Sequence, residues 1–433
     1  MLNRKFIREN PELVERAARQ MGQPSEIERF LWLDRREREL SSNLGRLRHQ
    51  QRLLSQQISI SGGERGSSPS LKQIARQIKD TKRELKELQT QLKRLLLRFP
   101  NIPDPSVPYG MDKEDNLQVR EWGRIPRFDF TPLPHWELAE RLGIWEVKGG
   151  VKIAGRGFAL FKGVGSQLER ALADFMLDLY ARQHDYMELS PPLLADYESL
   201  ICTGHFPRWE HGVYCCKDDG LFLIPSAEVP LTNLYRDQIL DAQLLPLSYV
   251  TCTPCFRRPE ASWGRENRQA VRLHPSWGRE NRQAVRLHQF RKIELVKFVS
   301  PESSSAQLDQ IVADVEEALQ LLELPYRVVL DCVGQLSFAS AKGYGVEVWM
   351  AASGSYLRVC SCRNYTDFQT RRGNIRFRSQ REACTGFIHT VGASGPAVPR
   401  LMAAIIENYQ SASGKVLVPK VLQRYMDGTV RMG

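Results

Sequence analysis

The 433-residue chain is 42% hydrophobic and 26% charged, the balance of an ordinary globular protein rather than of a disordered chain. Its formal charge of +11 favours a polyanionic partner. No apolar run approaches the roughly 20 residues that span a bilayer, and the start MLNRKFIRENPELVERAARQ lacks an apolar core and carries Glu9, Glu12 and Glu15, which argues against a secretory signal.

Most of the excess charge lies in one segment. Residues 28–98 hold 17 Lys and Arg against 8 Asp and Glu, a net of +9. The same segment carries apolar residues at Phe30, Leu33, Leu40, Leu44, Leu47, Leu54 and Ile58, with polar interruptions at Glu37 and Gln51. A second run, Leu71, Ile74, Ile78, Thr81, Leu85, Leu88, Leu92 and Leu95, steps by three and four throughout. Such spacing is the seam of a coiled coil. SGGERGSSPS (61–70) cannot continue a helix and reads as a turn, so the two runs predict an antiparallel helical hairpin. Its outward lysines and arginines would hold phosphates without reading sequence. A dimerisation coiled coil is the alternative.

FPNIPDPSVPYG (99–110) reads as a stiff linker and a domain boundary, giving domains over 1–105 and 106–433. Beyond it, strands such as Leu221–Ile224 and Val346–Met350 alternate with helices near 166–183, 304–323 and 397–411. This pattern predicts an α+β domain whose largely antiparallel sheet is flanked by helices. The nine cysteines are irregularly spaced, so Cys252, Cys255, Cys360 and Cys362 read as free thiols in a reducing compartment before a zinc site. SWGRENRQAVRLH occurs twice, at 262–274 and 276–288, which fits a recent local duplication and not a solenoid. Fourteen extra residues, an even number, would keep the alternation of a following strand.

The C-terminal part has neither a P-loop nor a Gly-rich dinucleotide fingerprint. It carries instead Arg257, Arg258, Arg371, Arg372, Arg376 and Arg400, with Glu228, Glu294 and Glu347 in apolar surroundings. Arginines and carboxylates without a covalent nucleophile suit a reaction that stabilises phosphate charge.

Taken in order, these segments resemble seryl-tRNA synthetases of the bacterial and organellar type. MLNRKFIRENPELV, the hairpin and NIPDPSVPYGMDKEDNLQVREWG look like that family's arm and linker. RGFALFKGVGSQLERALADFMLDLYARQHDYMELSPPLL resembles motif 1 of class II synthetases, LIPSAEVPLTNLY the serine-recognition segment, TPCFRRPE with VRLHQFRKIELVKF motif 2, and SGPAVPRLMAAIIENYQ motif 3. The resemblance implies a class II catalytic domain that joins serine to ATP as seryl-adenylate and then to tRNA. It implies a homodimer through motif 1, tRNA bound by the arm, no membrane partner, and a cytoplasmic location with an organelle as the alternative. Serine would meet Ser226, Glu228, Arg257, Glu294 and Ser394. ATP would meet Arg257 at its α-phosphate, Arg400 at its γ-phosphate, Phe290 at its adenine, and Glu347 and Ser361. Magnesium would bridge the phosphates.

Several positions depart from the family pattern. Arg358, in YLRVCSCRN, stands where the resemblance puts the magnesium-binding glutamate, and an arginine cannot ligate a metal. Gly345 replaces an aspartate, Ser226 a threonine and Pro399 a glycine, Gly392-Ala393 stands for Asn-Gly, and Glu260 of motif 2 falls one residue late. The resemblance therefore implies a serine–tRNA ligase with a changed site. The alternatives are a catalytically impaired paralogue acting as an RNA-binding dimer, and an enzyme that loads serine onto something other than tRNA, against which the arm argues.

Overall fold

In the computed structural model, residues 1–60, 69–155, 157–258, 287–379 and 385–433 are described. They form two compact units, Met1–Pro100 and Asn101–Gly433. Residues 61–68 of the expected turn, all of the first repeat copy, and the second copy up to residue 286 lie outside the described residues. Pro69 and Ser70, expected in that turn, instead open a helix. Proline suits a first helical position, where its missing N–H would have had no partner.

The first unit contains α1 (Arg4–Glu9), α2 (Pro11–Gln20), α3 (Ile27–Ile60) and α4 (Pro69–Leu96). Asn3 caps α1 through the Lys5 amide. Helices α3 and α4 run antiparallel: Gln89 meets Glu37, Arg36 meets Glu84, and Ile78 packs with Leu44 and Leu47. Phe30, Leu33, Leu40, Leu44 and Leu47 are buried against Ile78, Thr81, Leu88, Leu92 and Leu95, as the heptads require. At 34 residues α3 extends about 51 Å. Glu37 is tolerated in the seam because it accepts bonds from Gln89 and from Arg4. One turn earlier the fully buried Asp34 is clamped by Arg4, Arg8 and Arg38, which ties α1 to the base of the hairpin.

The second unit is built on an eight-stranded sheet. Its strands are β1 (Leu117–Trp122), β2 (Met187–Glu188), β3 (Leu247–Phe256), β4 (Gln289–Val299), β5 (Tyr326–Leu330), β6 (Lys342–Met350), β7 (Ser355–Thr366) and β8 (His389–Ala397). They lie in the order β1-β5-β6-β7-β8-β4-β3-β2, antiparallel except for the β2–β3 pair. The helices Val164–Gln183, Ser304–Leu321 and Val398–Asn408 share one core with the sheet. Side chains alternate between faces along a strand. Ile293, Leu295 and Val299 of β4 join that helix-covered core, as do Val391 and Ala393 of β8 and Cys360 and Cys362 of β7. The intervening residues point to the opposite face, and the site lies there.

The expected linker is not a free spacer. Asn101 is buried and donates to the carbonyls of Ala339 and Tyr365, Asp104 donates to Ala341, and Val333 donates to Pro108. Buried backbone groups need partners, and strand-end loops of the second unit supply them. The boundary consequently falls at Pro100, earlier than the proline count suggests. The eight described cysteines are free thiols. Among the described residues, no cluster of three His, Cys, Asp or Glu side chains could hold a metal, and no helix is long and apolar enough to cross a membrane.

Candidate active site

Register aligns the central residues. Thr251 of β3 pairs with Glu294 of β4, Glu294 with Ser394 of β8, Ser394 with Ser361 of β7, and Ser361 with Gly345 of β6. Glu294, Ser394 and Ser361, which sequence reasoning names separately, thus stand on one rung across the sheet. Next to it, Glu347 of β6 pairs with Arg358 of β7, the register shifting between Val346 and Glu347 because Val359 of β7 is skipped.

Above the rung sits a buried polar network. Ser226 Oγ donates to Glu294 Oε2 at 2.6 Å. Lys292 Nζ donates to Ser226 Oγ at 2.8 Å and to Ser394 Oγ at 2.6 Å, and lies 2.7 Å from Glu294 Oε2. Lys292 and Glu294 are almost wholly buried. A charge removed from water is tolerable only when paired and hydrogen-bonded, and this pair has both. Glu228, at the start of the short helix Glu228–Thr232, donates its amide to Ser226 Oγ, and its carboxylate accepts Gln369 Nε2 at 2.6 Å. Gln369 is held in turn by Thr390 Oγ1 at 2.7 Å. Burial first, then repulsion from Glu294, pushes the Glu228 carboxyl up to about 7.

The arginines arrive from loop and helix. Arg257 follows β3; its Nε donates to Pro225 O at 2.8 Å, and its guanidinium lies 5.3 Å from the Phe290 ring centre. Burial lowers its pKa, while Cys255, Glu294 and Glu228 pull it the other way. Arg400, near the start of the helix Val398–Asn408, donates Nη1 to the Arg358 carbonyl at 2.6 Å. Arg371, Arg372 and Arg376 do not join the site. They pair with Asp367, with the Ile201 and Phe206 carbonyls, and with Asn374.

The hairpin that carries Arg257 is pinned at its base. His288, the last residue of the second repeat, donates its amide to Gly157 O and accepts the Arg257 amide. Its ring stacks on Phe158 at 4.9 Å, and Nδ1 meets Tyr214 Oη at 2.5 Å. A side chain at Gly157, whose φ is +86°, would strike the His288 ring. Pro259 and Glu260 lie outside the described residues.

Sequence reasoning missed Lys292, Gln369 and Asp331, the last an ion-pair partner of Arg358 at 2.8 Å. Lys292 had a signal: it stands two residues before Glu294 on a strand, hence on the same face. Gln369 and Asp331 had none, since each is a single polar residue at an element's end that only the tertiary fold brings inward.

Comparison with known proteins finds relatives along the whole chain. Residues 1–103 match the family Seryl-tRNA synthetase N-terminal domain, and residues 214–409 match the tRNA synthetase class II core domain (G, H, P, S and T). The chain is 42% identical over 437 aligned positions to the serine–tRNA ligase of Citrifermentans bemidjiense, covering all of both chains. It is 43% identical to that of Thermomicrobium roseum, covering all of this chain and 95% of the relative. Among solved structures, the seryl-tRNA synthetase of Pyrococcus horikoshii complexed with ATP aligns over 100% of this chain and 99% of its own, with a TM-score of 0.90 and 31% identity. Full-length identity at this level, together with the arm and the polar rung across an antiparallel sheet, means that the chain belongs to the seryl-tRNA synthetase family of class II aminoacyl-tRNA synthetases.

Proposed function

We propose that the protein is a serine–tRNA ligase whose serine pocket is the buried network of Ser226, Glu228, Lys292, Glu294 and Ser394. The observation that carries the reading is the buried Glu294, which shares one rung with Ser394 and Ser361 and is held rigid by Lys292 and Ser226. A small hydroxy amino acid presents a cation, an anion and a hydroxyl. Glu228 suits the ammonium, Arg257 the carboxylate, and Glu294 with Ser394 the hydroxyl. A buried acceptor fixed by hydrogen bonds rejects a ligand lacking the hydroxyl, because it would be left unpaired.

In the first step a serine carboxylate oxygen attacks the α-phosphorus of ATP, and the bond to the pyrophosphate oxygen breaks. In the second a terminal ribose hydroxyl of tRNA attacks the seryl carbonyl, and AMP leaves. Arg257, stacked on Phe290, would face the α-phosphate and serine carboxylate, Arg400 the outer phosphates, and Phe290 the adenine. A guanidinium's planar fork fits such oxygens. Glu347 and Ser361 would border the nucleotide. A protein-built magnesium site does not fit the residues around Arg358: Arg358 itself has no lone pair for a metal, and Asp331 and Glu347 are both engaged by guanidinium groups. Phosphate charge therefore falls to the arginines.

The exposed lysines and arginines of α3 and α4 support tRNA binding by the arm, and motif 1 supports a homodimer. Bacterial relatives support a cytoplasmic place of action. The test is serine-dependent ATP–pyrophosphate exchange, followed by charging of tRNA. Exchange is expected with serine and absent with alanine. Glu294→Ala should lower kcat/KM for serine by about 100-fold. A folded protein that shows no serine-dependent exchange would sink the proposal.

A further inference from the structure

Arg358 is held unusually firmly for a residue at a nucleotide site. Its Nη2 forms an ion pair with Asp331 Oδ1 at 2.8 Å and donates to Glu347 Oε1 at 3.2 Å. Its Nε also donates to Glu347 Oε1, at 3.3 Å. The other oxygen of Glu347 accepts Arg327 at 2.9 Å, and Arg363 Nη2 stands 3.8 Å from Asp331. Asp331 is fully buried, whereas the Arg358 side chain keeps 21% exposure.

The guanidinium can lie there only because of Gly345. A Cβ at that position would come within 2.4 Å of Arg358 Cζ and Nη2, so any larger residue on β6 would evict it. The two departures are thus one structural change. The resemblance puts carboxylates at both positions; glycine and arginine stand there instead, a shift of three charge units toward positive. The cluster of Arg327, Arg358 and Arg363 with Asp331 and Glu347 has three positive charges against two negative ones. Its carbonyl end is tied to Arg400, the arginine expected at the γ-phosphate. Asp331 and Glu347 more than offset the lowering effect of burial, so the guanidinium stays charged.

We infer that Arg358, seated over Gly345 and clamped by Asp331 and Glu347, is a built-in cation that positions the ATP phosphates where a carboxylate-bound metal would otherwise act. It is a positioning residue, and the inference rests on the ATP site proposed above. ATP binding by this chain accordingly depends little on free divalent cations.

Equilibrium dialysis of ATP against the full-length protein, without serine, tests this in EDTA and in excess magnesium. The wild type should lose no more than about 3-fold in affinity on removal of magnesium, while Arg358→Met should lose about 10-fold or more in EDTA. Gly345→Asp combined with R358E should bind ATP only when magnesium is present, and its Tm should rise on adding magnesium alone. R358M keeps the volume without adding buried negative charge, so it reads the inference even where the double variant fails to fold. Wild-type affinity collapsing by about 10-fold or more in EDTA, or R358M binding like the wild type there, would overturn the inference. Dialysis needs no turnover, so absent pyrophosphate exchange would strike the proposed function and leave this result readable.

Discussion

Each site residue is set by what stands on either side of it. Glu228 is the clearest case, because burial and the neighbouring Glu294 raise it to about 7. An acid raised on folding holds a proton that the unfolded chain has released. Its contribution to stability therefore falls as pH climbs from about 4.5 to 7 and is flat above. In the proposed pocket serine binding would run the opposite way, since the ammonium would need the Glu228 carboxylate ionised. KM for serine should drop about 10-fold between about pH 6 and pH 8, and Glu228→Gln should flatten that profile. A wild-type KM unchanged across this range would remove Glu228 from the ammonium position. At this scale Arg257, Glu294 and Ser394 could be named as candidates from motifs alone. Asp331, the acid that pairs with Arg358, could not, because its partner lies 27 residues further along the chain and meets it only across the intervening strand β6.

Among the elements, the β3–β4 hairpin is the one the duplication bears on. The two strands pair without a break from Leu247↔Phe298 to Phe256↔Gln289, and β4 keeps its alternation, Lys292 and Glu294 on the site face and Ile293 and Leu295 in the core. Thirty-two residues separate Phe256 from Gln289. Deleting 262–275 would shorten that connection to eighteen, worth only about 0.5 kcal/mol of closure entropy. Chemical denaturation of the deletion variant should show a midpoint close to that of the full chain. A loss of about 3 kcal/mol would mean that the extra copy has become part of the fold. Helix ends were less legible than helix faces. Heptad spacing identified the buried seam, whereas Pro69 looked like a breaker although its place at a first helical turn made it a starter.

For the molecule as a whole, charge and fold divide the labour. The hairpin carries most of the excess positive charge, and its lysines and arginines are exposed on α3 and α4. Reversing Arg46, Arg48 and Arg76 to Glu should weaken tRNA binding and reduce the slope of log affinity against log salt by about 2 to 3. Charging should fall further than pyrophosphate exchange. An unchanged salt slope would deny the arm a phosphate-binding role. Composition and periodicity reached this division into an arm and an α+β unit. They could not reach the sheet order, because that depends on which distant strands pair.

The rung through Thr251, Glu294, Ser394, Ser361 and Gly345 draws its members from strands spread over nearly 150 residues of chain. Contacts of such long sequence separation close late and together in folding, after the loop entropy between them has been overcome. No fragment that stops short of β8 holds the complete rung. β8 inserts between β7 and β4 although it follows both in sequence, so a nascent chain must keep a gap in its sheet until His389–Ala397 has left the ribosome. The proposed serine pocket is thus complete only once β8 has joined the sheet, so serine binding would report completed folding of the sheet.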